Sequence, residues 1–287
     1  MSRHEIHNTE KICRLPISEL KPFDEQPFKV LIDESMDELV ESIKDNGVVS
    51  PIIARPHKDG GYEILSGHRR AAACKIAGKE DVPVIVKNLD DDMAAILLVD
   101  SNLQRENILP SERAYAYKLK LEAMKHQGER TDLTSAQVVP KLSARERVAQ
   151  EAGVNRMAVT RYIRLTELID PLLDMVDSRR LPLNAAVELS YLGSKAQADV
   201  VKIIEKHESV PSIEQAAKMR KFSNEGRLSY DVIDSIMLEQ KPEKIRVTLK
   251  EDRLREYFPE SYSKKQMEDT ILKLLKSWAR KRKEPER

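Results

Sequence analysis

The chain has 287 residues, enough for two or three domains of ordinary size, so one function along its whole length is not expected. Hydrophobic residues make up 40% and charged residues 34%, which fits a globular, helix-rich protein better than a disordered or fibrous one. The formal net charge of +1 neither predicts nor excludes a nucleic-acid partner. The apolar stretches fall short of the ~20 residues that span a bilayer, and the first residues lack the apolar region of a secretory signal. We therefore expect a cytoplasmic protein without a membrane segment.

The first 110 residues alternate between strand and helix patterns. We predict, in chain order, a strand at Ile12–Leu20, a helix at Asp33–Asn46, a β-hairpin of Pro51–Arg55 with Tyr62–Leu65, a helix at His68–Ala77, a strand at Val82–Val86 and a helix at Asp90–Asp100. This order predicts a small α/β domain.

Beyond residue 110 the pattern is mainly helical. Ser111–His126 is predicted to be a helix with Ser111 as its N-cap, and the polar segment Gln127–Leu142 is predicted to be a linker or a loosely ordered helix. Three prolines are expected in the first turns of later helices: Pro171, Pro182 and Pro211.

A small C-terminal unit begins with apolar alternation at Lys244–Leu249, which predicts a strand. It closes with a predicted helix, Lys264–Lys283, that buries Leu272, Leu275 and Trp278 either in a homodimer contact or in an intrachain core. We therefore predict an α+β protein with three domains, at residues 1–110, 111–240 and 241–287, of which the middle one is all-α.

The segment Arg145–Leu165 has the pattern of a helix-turn-helix. Two short helices cross steeply when a small residue lies at their contact and the turn admits a left-handed residue, and Ala149 and Gly153 meet these needs. Apolar residues fill the crevice: Val148, Ala152, Val154, Val159 and Tyr162. Asn155 is the expected cap of the second helix, whose start would enter a major groove. The alternative is an ordinary helical hairpin with solvated arginines.

Charge supports the DNA-binding interpretation, because six basic residues stand against two acidic ones between Lys141 and Leu165. We expect contacts to base edges or phosphates from seven residues of the motif: Arg145, Asn155, Arg156, Met157, Thr160, Arg161 and Arg164.

Two further motifs indicate a phosphate site. The first motif places a glycine and two arginines where a strand turns into a helix, in the segment Leu65-Ser66-Gly67-His68-Arg69-Arg70-Ala71. The N–H groups at a helix N-terminus and guanidinium groups together bind phosphate well. The second motif ends a helix with amide and carboxylate groups that can hold hydrated magnesium, in the segment Asp100-Ser101-Asn102-Leu103-Gln104-Arg105-Glu106-Asn107. For the first motif alone, solvated surface arginines remain the alternative.

With these motifs, with Gln26-Pro27 and with the helix-turn-helix, the sequence resembles the ParB/RepB family of partition proteins from about Ile17 to Leu192. The resemblance implies that the N-terminal module binds CTP and magnesium, that the helix-turn-helix recognises a centromere-like DNA repeat, and that a homodimer works with a ParA-type ATPase. The implied nucleotide contacts are Gly67, His68, Arg69, Arg70, Ser101, Asn102, Arg105 and Glu106, with Asn102 as a magnesium ligand.

Three positions depart from the family pattern. His68 and Ser101 stand where glutamates are usual, and Phe28 stands where an arginine is usual. Because two carboxylates that would position metal or water are missing, the resemblance implies at most a weak CTPase.

Two other functions remain open at this point. One is a helix-turn-helix transcriptional regulator of a mobile element that lacks nucleotide switching. The other is an ATP-using enzyme of the sulfiredoxin or free-serine kinase type, since those proteins share the N-terminal fold. Such an enzyme needs a reactive cysteine or a catalytic acid near the arginine motif, whereas Cys74 lies in an alanine-rich, packed-looking helix.

Overall fold

A computed structural model describes most of the chain: residues 11–24, 26–105, 107–132, 142–239, 253–254, 256–259 and 261–283. Contacts divide the molecule into two compact units, Met1–Glu239 and Gln240–Arg287. None of the helices in these described ranges combines the length and the apolar character needed to cross a membrane.

A five-stranded mixed sheet forms the centre of the N-terminal part. Its strands are β1 (Ile12–Pro16), β2 (Leu20–Lys21), β3 (Ile52–Pro56), β4 (Tyr62–Ser66) and β5 (Asp81–Val86). The spatial order is β1-β5-β3-β4-β2, in which β3 and β4 form the predicted antiparallel hairpin and β3 pairs with β5 in parallel. Alternate apolar residues, such as Ile52 with Ala54 and Val82 with Val84, are fully buried, which is the period that predicted these strands.

The predicted strand Ile12–Leu20 is wrong in its second half. The chain leaves β1 at Pro16 and makes a 3-10 turn over Ile17–Glu19 before entering β2. Proline has no N–H with which to extend a ladder, and the N–H of Ile17 donates to the carbonyl of Glu80 at 2.8 Å instead. The backbone therefore changes from one edge of the sheet to the other.

Three helices complete this part: α1 (Glu34–Asn46), α2 (His68–Ile76) and α3 (Asp91–Leu103). Asp33 caps α1 by accepting a hydrogen bond from the N–H of Met36, and Gly47, with φ 71°, ends it. Helices α1 and α2 share a core with the sheet, while α3 packs over Leu65 in a second core.

The rest of the first unit is helical, as predicted. It contains α4 (Pro110–Asp132), α5 (Ala144–Glu151), α6 (Arg156–Arg164), α7 (Asp170–Asp177), α8 (Leu183–Leu189), α9 (Ser194–His207), α10 (Ile213–Asn224) and α11 (Tyr230–Leu238). Pro171 lies in the first turn of α7, Pro182 directly precedes α8, and Pro211 precedes the cap of α10. The protein is therefore of the predicted α+β class.

The prediction that Ser111 caps α4 is wrong, because α4 begins at Pro110 and Ser111 lies within its first turn. The backbone N–H and the hydroxyl of Ser111 donate to the carboxylate of Asp177 on α7, at 2.9 and 2.5 Å. The carboxylate of Asp177, which is distant in sequence, thus accepts from a backbone N–H group at the start of α4. Helix α4 also continues to Asp132, into the predicted linker, whose residues 133–141 lie outside the described ranges.

In the second unit, α12 (Lys264–Lys283) has the predicted bounds, whereas the predicted strand Lys244–Leu249 lies outside the described residues. Leu272, Leu275 and Trp278 were expected to be buried, but they are 48%, 53% and 59% exposed. The expectation of an intrachain core is therefore wrong for these three side chains, and burial against a second copy stays a prediction.

Candidate functional site

Helices α5 and α6 form the predicted helix-turn-helix, and local hydrogen bonds define its turn. A capping box starts α5, since the side chain of Ser143 accepts from the N–H of Glu146 while the Glu146 carboxylate accepts from the N–H of Ser143. At its end, the N–H of Gly153 donates to Gln150 and the N–H of Val154 donates to Ala149, which is a Schellman motif. The direction of the chain into α6 is thereby fixed.

The crevice between the two helices is filled as predicted. Ala149 is 5% exposed and packs with fully buried Val148 and Val159 and with Tyr117 of α4. A Cβ atom at Gly153 would meet nothing within 4 Å, so the glycine is required for its φ of 65° and not for space.

The start of α6 presents polar and apolar groups to solvent. The side chain of Asn155 accepts a hydrogen bond from the N–H of Ala158 at 2.7 Å, which confirms the predicted cap. Arg156 is exposed and lies 3.5 Å from the carboxylate of Glu146, and Met157 is 63% exposed. Arg145 and Arg161 are also exposed. Five of the seven predicted contact residues therefore stand at an accessible surface.

The other two, Thr160 and Arg164, were expected on exposed faces but are only partly exposed. The hydroxyl of Thr160 donates to the carbonyl of Arg156 at 3.1 Å. Arg164 donates from Nε to Ser190 Oγ at 3.2 Å and from Nη2 to the Ser190 carbonyl, and its guanidinium lies 4.0 Å from the ring centroid of Tyr191. In this conformation Arg164 fastens α6 to the end of α8, a role that helical periodicity could not reveal.

The arginine turn, residues Gly67–Arg70, begins α2. Gly67 has φ 99°, and a Cβ atom there would lie 3.1 Å from Nη2 of Arg70 and 3.3 Å from a side-chain carbon of Ile52. Both the backbone conformation and the crowding require glycine. The turn therefore brings the backbone close to the guanidinium of Arg70.

Both arginines of the turn already donate to the chain itself. Nη2 of Arg69 lies 3.3 Å from the carboxylate of Asp33 and 2.5 Å from the hydroxyl of Ser35. Nη1 of Arg70 donates to the carbonyls of Ser50 and Pro51, the latter at 2.7 Å. These partners were not predicted from the sequence, because they lie far along the chain, at the start of α1 and in the loop at residues 50–51.

His68 is 7% exposed, and its buried Nε2 has no hydrogen-bond partner among the described residues. Burial, aided by the charge of Arg105 and opposed by a hydrogen bond with the backbone of Ile64, lowers the pKa of His68 to about 4. The imidazole is therefore neutral near pH 7.

Arg105 joins the arginine turn from the end of α3. Its guanidinium lies 5.8 Å from the ring centroid of Phe28. Burial lowers the pKa of Arg105, Glu112 opposes this shift, and the charge of Arg69 lowers the pKa further. The two guanidinium groups thus repel each other, and an anion between them would relieve that repulsion.

The asparagine motif offers few ligand atoms for a magnesium ion in this conformation. Asn102 is 3% exposed, and its Nδ2 donates to the carbonyl of Leu98 at 2.7 Å, as does the hydroxyl of Ser101 at 3.0 Å. Asp100 is paired with Lys120, and Glu106 lies outside the described residues. Magnesium is normally held by carboxylates and substrate phosphates, and the carboxylate of Asp100 is already in an ion pair, so the role of Asn102 as a ligand stays a prediction.

These features define a class of protein: a helix-turn-helix protein with an arginine-rich N-terminal module on a mixed sheet. Residues 1–103 match the ParB N-terminal domain family, and residues 135–222 match the ParB HTH domain family. The chain belongs to the ParB family of partition proteins, in agreement with the resemblance found in the sequence.

Two curated relatives are described as probable chromosome-partitioning proteins ParB. The protein from Vibrio cholerae is 32% identical over 72% of this chain and 66% of its own length. The protein from Neisseria meningitidis serogroup A is 30% identical over 73% of this chain and 68% of its own length. The chain thus spans about two thirds of the length of these relatives.

Solved structures of a C-terminally truncated ParB from Caulobacter crescentus are also similar. One, complexed to the centromeric parS site, has a TM-score of 0.43 and 24% identity over 78% of this chain and 97% of that chain. Another, complexed with CTP-gamma-S, has a TM-score of 0.32 and 28% identity over 68% of this chain and 98% of that chain.

Proposed function

We propose that this chain is a sequence-specific DNA-binding protein of chromosome or plasmid partition, which reads a centromere-like duplex with α6 and binds CTP at the arginine turn. The observation that carries the proposal is the helix-turn-helix, whose turn is fixed by local bonds and whose capped second helix exposes Arg156 and Met157. A helix start of this kind can enter a major groove and place side chains on base edges.

The DNA-binding function is tested with two fluorescent duplexes, one carrying the parS site and one with the same bases shuffled. Fluorescence anisotropy should show tighter binding to parS. Arg156→Ala should weaken parS binding by about tenfold, since one arginine contact to a base is worth roughly 1–3 kcal/mol. Lys195→Ala, which removes an exposed lysine on α9, is the matched control and should bind as the wild type does. Equal affinity of the wild type for both duplexes would contradict the proposal.

Nucleotide binding is supported by the like charges of Arg69 and Arg105, which repel each other near the N-terminus of α2. A triphosphate would accept from these guanidinium groups and from backbone N–H groups of the turn. The cytidine base is assigned from family membership, because a truncated ParB of Caulobacter crescentus is complexed with CTP-gamma-S.

The nucleotide is tested by calorimetric titration of the full chain with CTP, ATP, GTP and UTP, each with magnesium. We expect heat from CTP and little from the other three. Binding of all four nucleotides alike would reject the cytidine assignment, and heat from none of them would reject the nucleotide site.

Catalysis of CTP hydrolysis is expected to be weak or absent. At the two positions where the family usually has glutamates, His68 is buried and neutral, and Ser101 donates its hydroxyl to a backbone carbonyl. The imidazole of His68, with its pKa lowered to about 4, and the hydroxyl of Ser101 are both poor general bases toward water. The proposed role of the nucleotide is therefore that of a bound switch.

The proposal includes a homodimer and a ParA-type ATPase partner. Helix α12 offers Leu272, Leu275 and Trp278 at an exposed surface for the dimer. The double variant Leu272→Lys, Leu275→Lys should shift sedimentation of the full chain from dimer to monomer, because these side chains are accessible in one copy. A dimer that persists would remove α12 from the interface.

A transcriptional regulator without nucleotide switching is the second candidate. It is favoured by the hydrogen bonds that already hold Arg69 and Arg70 in the chain. The enzyme candidate is weaker, because Cys74 is fully buried and its burial raises the thiol pKa, which opposes formation of a reactive thiolate.

A further inference from the structure

Lys120 on α4 is the most deeply buried lysine among the described residues, with 1% of its surface exposed. Its ammonium contacts two carboxylates that belong to different helices. Glu151, the last residue of α5, lies 2.6 Å away, and Asp100 of α3 also forms an ion pair with it. One charge therefore joins three helices.

A lysine at this depth is not the simplest way to stabilise a helix junction. Removing an ammonium from water is costly, and replacing a buried ion pair by an apolar group of similar volume is often neutral or stabilising. What the ion pairs add is a defined geometry, since three N–H donors must meet carboxylates at fixed distances. The chemistry thus indicates a role in orientation.

The surrounding packing shows why orientation depends on this residue. Helix α4 shares a core with the helix-turn-helix through Tyr117 and Met124. Between α3 and α5, however, lies a cavity of about 440 Å³ lined by Asp100, Leu103, Tyr117 and Glu151, among others. The two carboxylates line this cavity and meet at the ammonium of Lys120, so an ion-pair bridge links α3 and α5 beside the core in which Leu103 packs.

We propose that Lys120 is a positioning residue for DNA recognition, which sets the orientation of the helix-turn-helix on α3 by binding Asp100 and Glu151 at once. This inference rests on the proposed DNA-binding function. Lys120 itself cannot touch a phosphate, because it is buried. Its loss should therefore weaken specific binding without removing an ionic contact to DNA.

The test variant is the triple substitution Lys120→Met, Asp100→Asn, Glu151→Gln, which neutralises the whole bridge and leaves no unpaired buried charge. It makes the protein more positive by one charge, which by itself would strengthen binding to any DNA. We expect affinity for a parS duplex to fall by about tenfold, which corresponds to ~1.4 kcal/mol, while affinity for a shuffled duplex does not fall.

Three controls separate positioning from other roles. Lys120→Arg keeps both ion pairs, with the adjacent cavity to accommodate the larger group, and should bind parS as the wild type does. Lys125→Met removes an exposed lysine of the same helix and should change little. For the triple variant, the slope of log affinity against log salt should stay unchanged, whereas loss of a phosphate contact would reduce it by about 1.

The outcomes are distinct from those of the proposed function. If the wild type does not distinguish parS from the shuffled duplex, the DNA-binding proposal fails, and the positioning role fails with it. If the wild type does distinguish them and the triple variant binds parS equally well, only the role of Lys120 is overturned. A reduced salt slope in the triple variant would overturn it as well.

Discussion

The helix-turn-helix and the arginine turn both present basic groups near a helix N-terminus, yet they are prepared for a ligand to different degrees. At the start of α6, Arg156 and Met157 are exposed on a capped helix. At the start of α2, Arg69 and Arg70 already donate to groups of the chain itself. A duplex can therefore contact side chains that are already exposed, whereas a nucleotide must exchange intrachain hydrogen bonds of Arg69 and Arg70 for phosphate contacts. At α6, the partner of Arg156 is Glu146, 3.5 Å away, which is a longer contact than those of Arg69 to Ser35 and of Arg70 to Pro51.

The largest effect is expected from removing an arginine of the arginine turn. Arg69→Ala should reduce affinity for CTP by about 100-fold, since losing a charge-assisted contact costs roughly 2–5 kcal/mol. Without nucleotide, parS binding should be unchanged. Calorimetry measures the affinity for CTP, and anisotropy measures the affinity for parS. Lys75→Ala, an exposed basic residue on the same helix, is the control, and an equal loss of CTP affinity in that variant would contradict a specific role for Arg69.

The buried imidazole of His68 gives the turn a pH dependence. Its pKa in the folded state, about 4, lies below the ordinary value of 6.5, so the unfolded chain binds the proton more readily. The contribution of the neutral imidazole to folding stability is complete when the pH is above the ordinary pKa. It is lost as the pH falls toward the pKa of the folded state. Between about pH 7 and about pH 4.5 the wild type should lose roughly 2 kcal/mol more unfolding free energy than His68→Gln does.

Urea unfolding of both proteins at the two pH values measures this difference. The acidic side chains are common to both proteins, so their titration cancels in the comparison. Parallel pH profiles would show that His68 is not buried as a neutral group.

A third change breaks the preformed site instead. Ala149→Leu inserts a larger side chain where α5 meets α6, and overpacking of this kind costs about 1–3 kcal/mol. Because Ala149 packs against Val148 and Val159, the two helices should separate and parS discrimination should fall, while CTP binding persists. Thermal unfolding measures the loss of stability, and anisotropy measures parS discrimination. The control is Ala196→Leu, at a partly buried position on α9. Equal parS discrimination in Ala149→Leu and the wild type would contradict the account.

The smallest effect is expected from weakening an intrachain contact of Arg69. Asp33→Asn retains a good cap for α1 but removes the negative charge opposite Arg69. Arg69 then leaves its intrachain partners more easily, so affinity for CTP should rise by a few fold, because an exposed ion pair contributes little. Calorimetry gives the result, with Glu34→Gln, the adjacent exposed acid, as the control. A fall in CTP affinity in Asp33→Asn would show that Asp33 assists the bound state.

The same contrast explains what sequence could predict. Asn155 and Gly153 act through bonds to residues within a few positions, so the cap of α6 and the turn of the helix-turn-helix were predicted from local pattern. The hydrogen bonds of Arg164 to Ser190 and of Ser111 to Asp177 join residues 26 and 66 positions apart, and no local period contains them. The break in the first strand likewise depends on a bond from Ile17 to distant Glu80.

In the proposed function, one chain couples a DNA-reading surface to a nucleotide site. The most direct measurement is the dissociation rate of a fluorescent parS duplex, followed with and without CTP and magnesium, for the wild type and for Arg69→Ala. We expect CTP to change the rate in the wild type and to leave it unchanged in the variant. The same rate in all four samples would contradict the account and leave a DNA-binding regulator without a nucleotide switch.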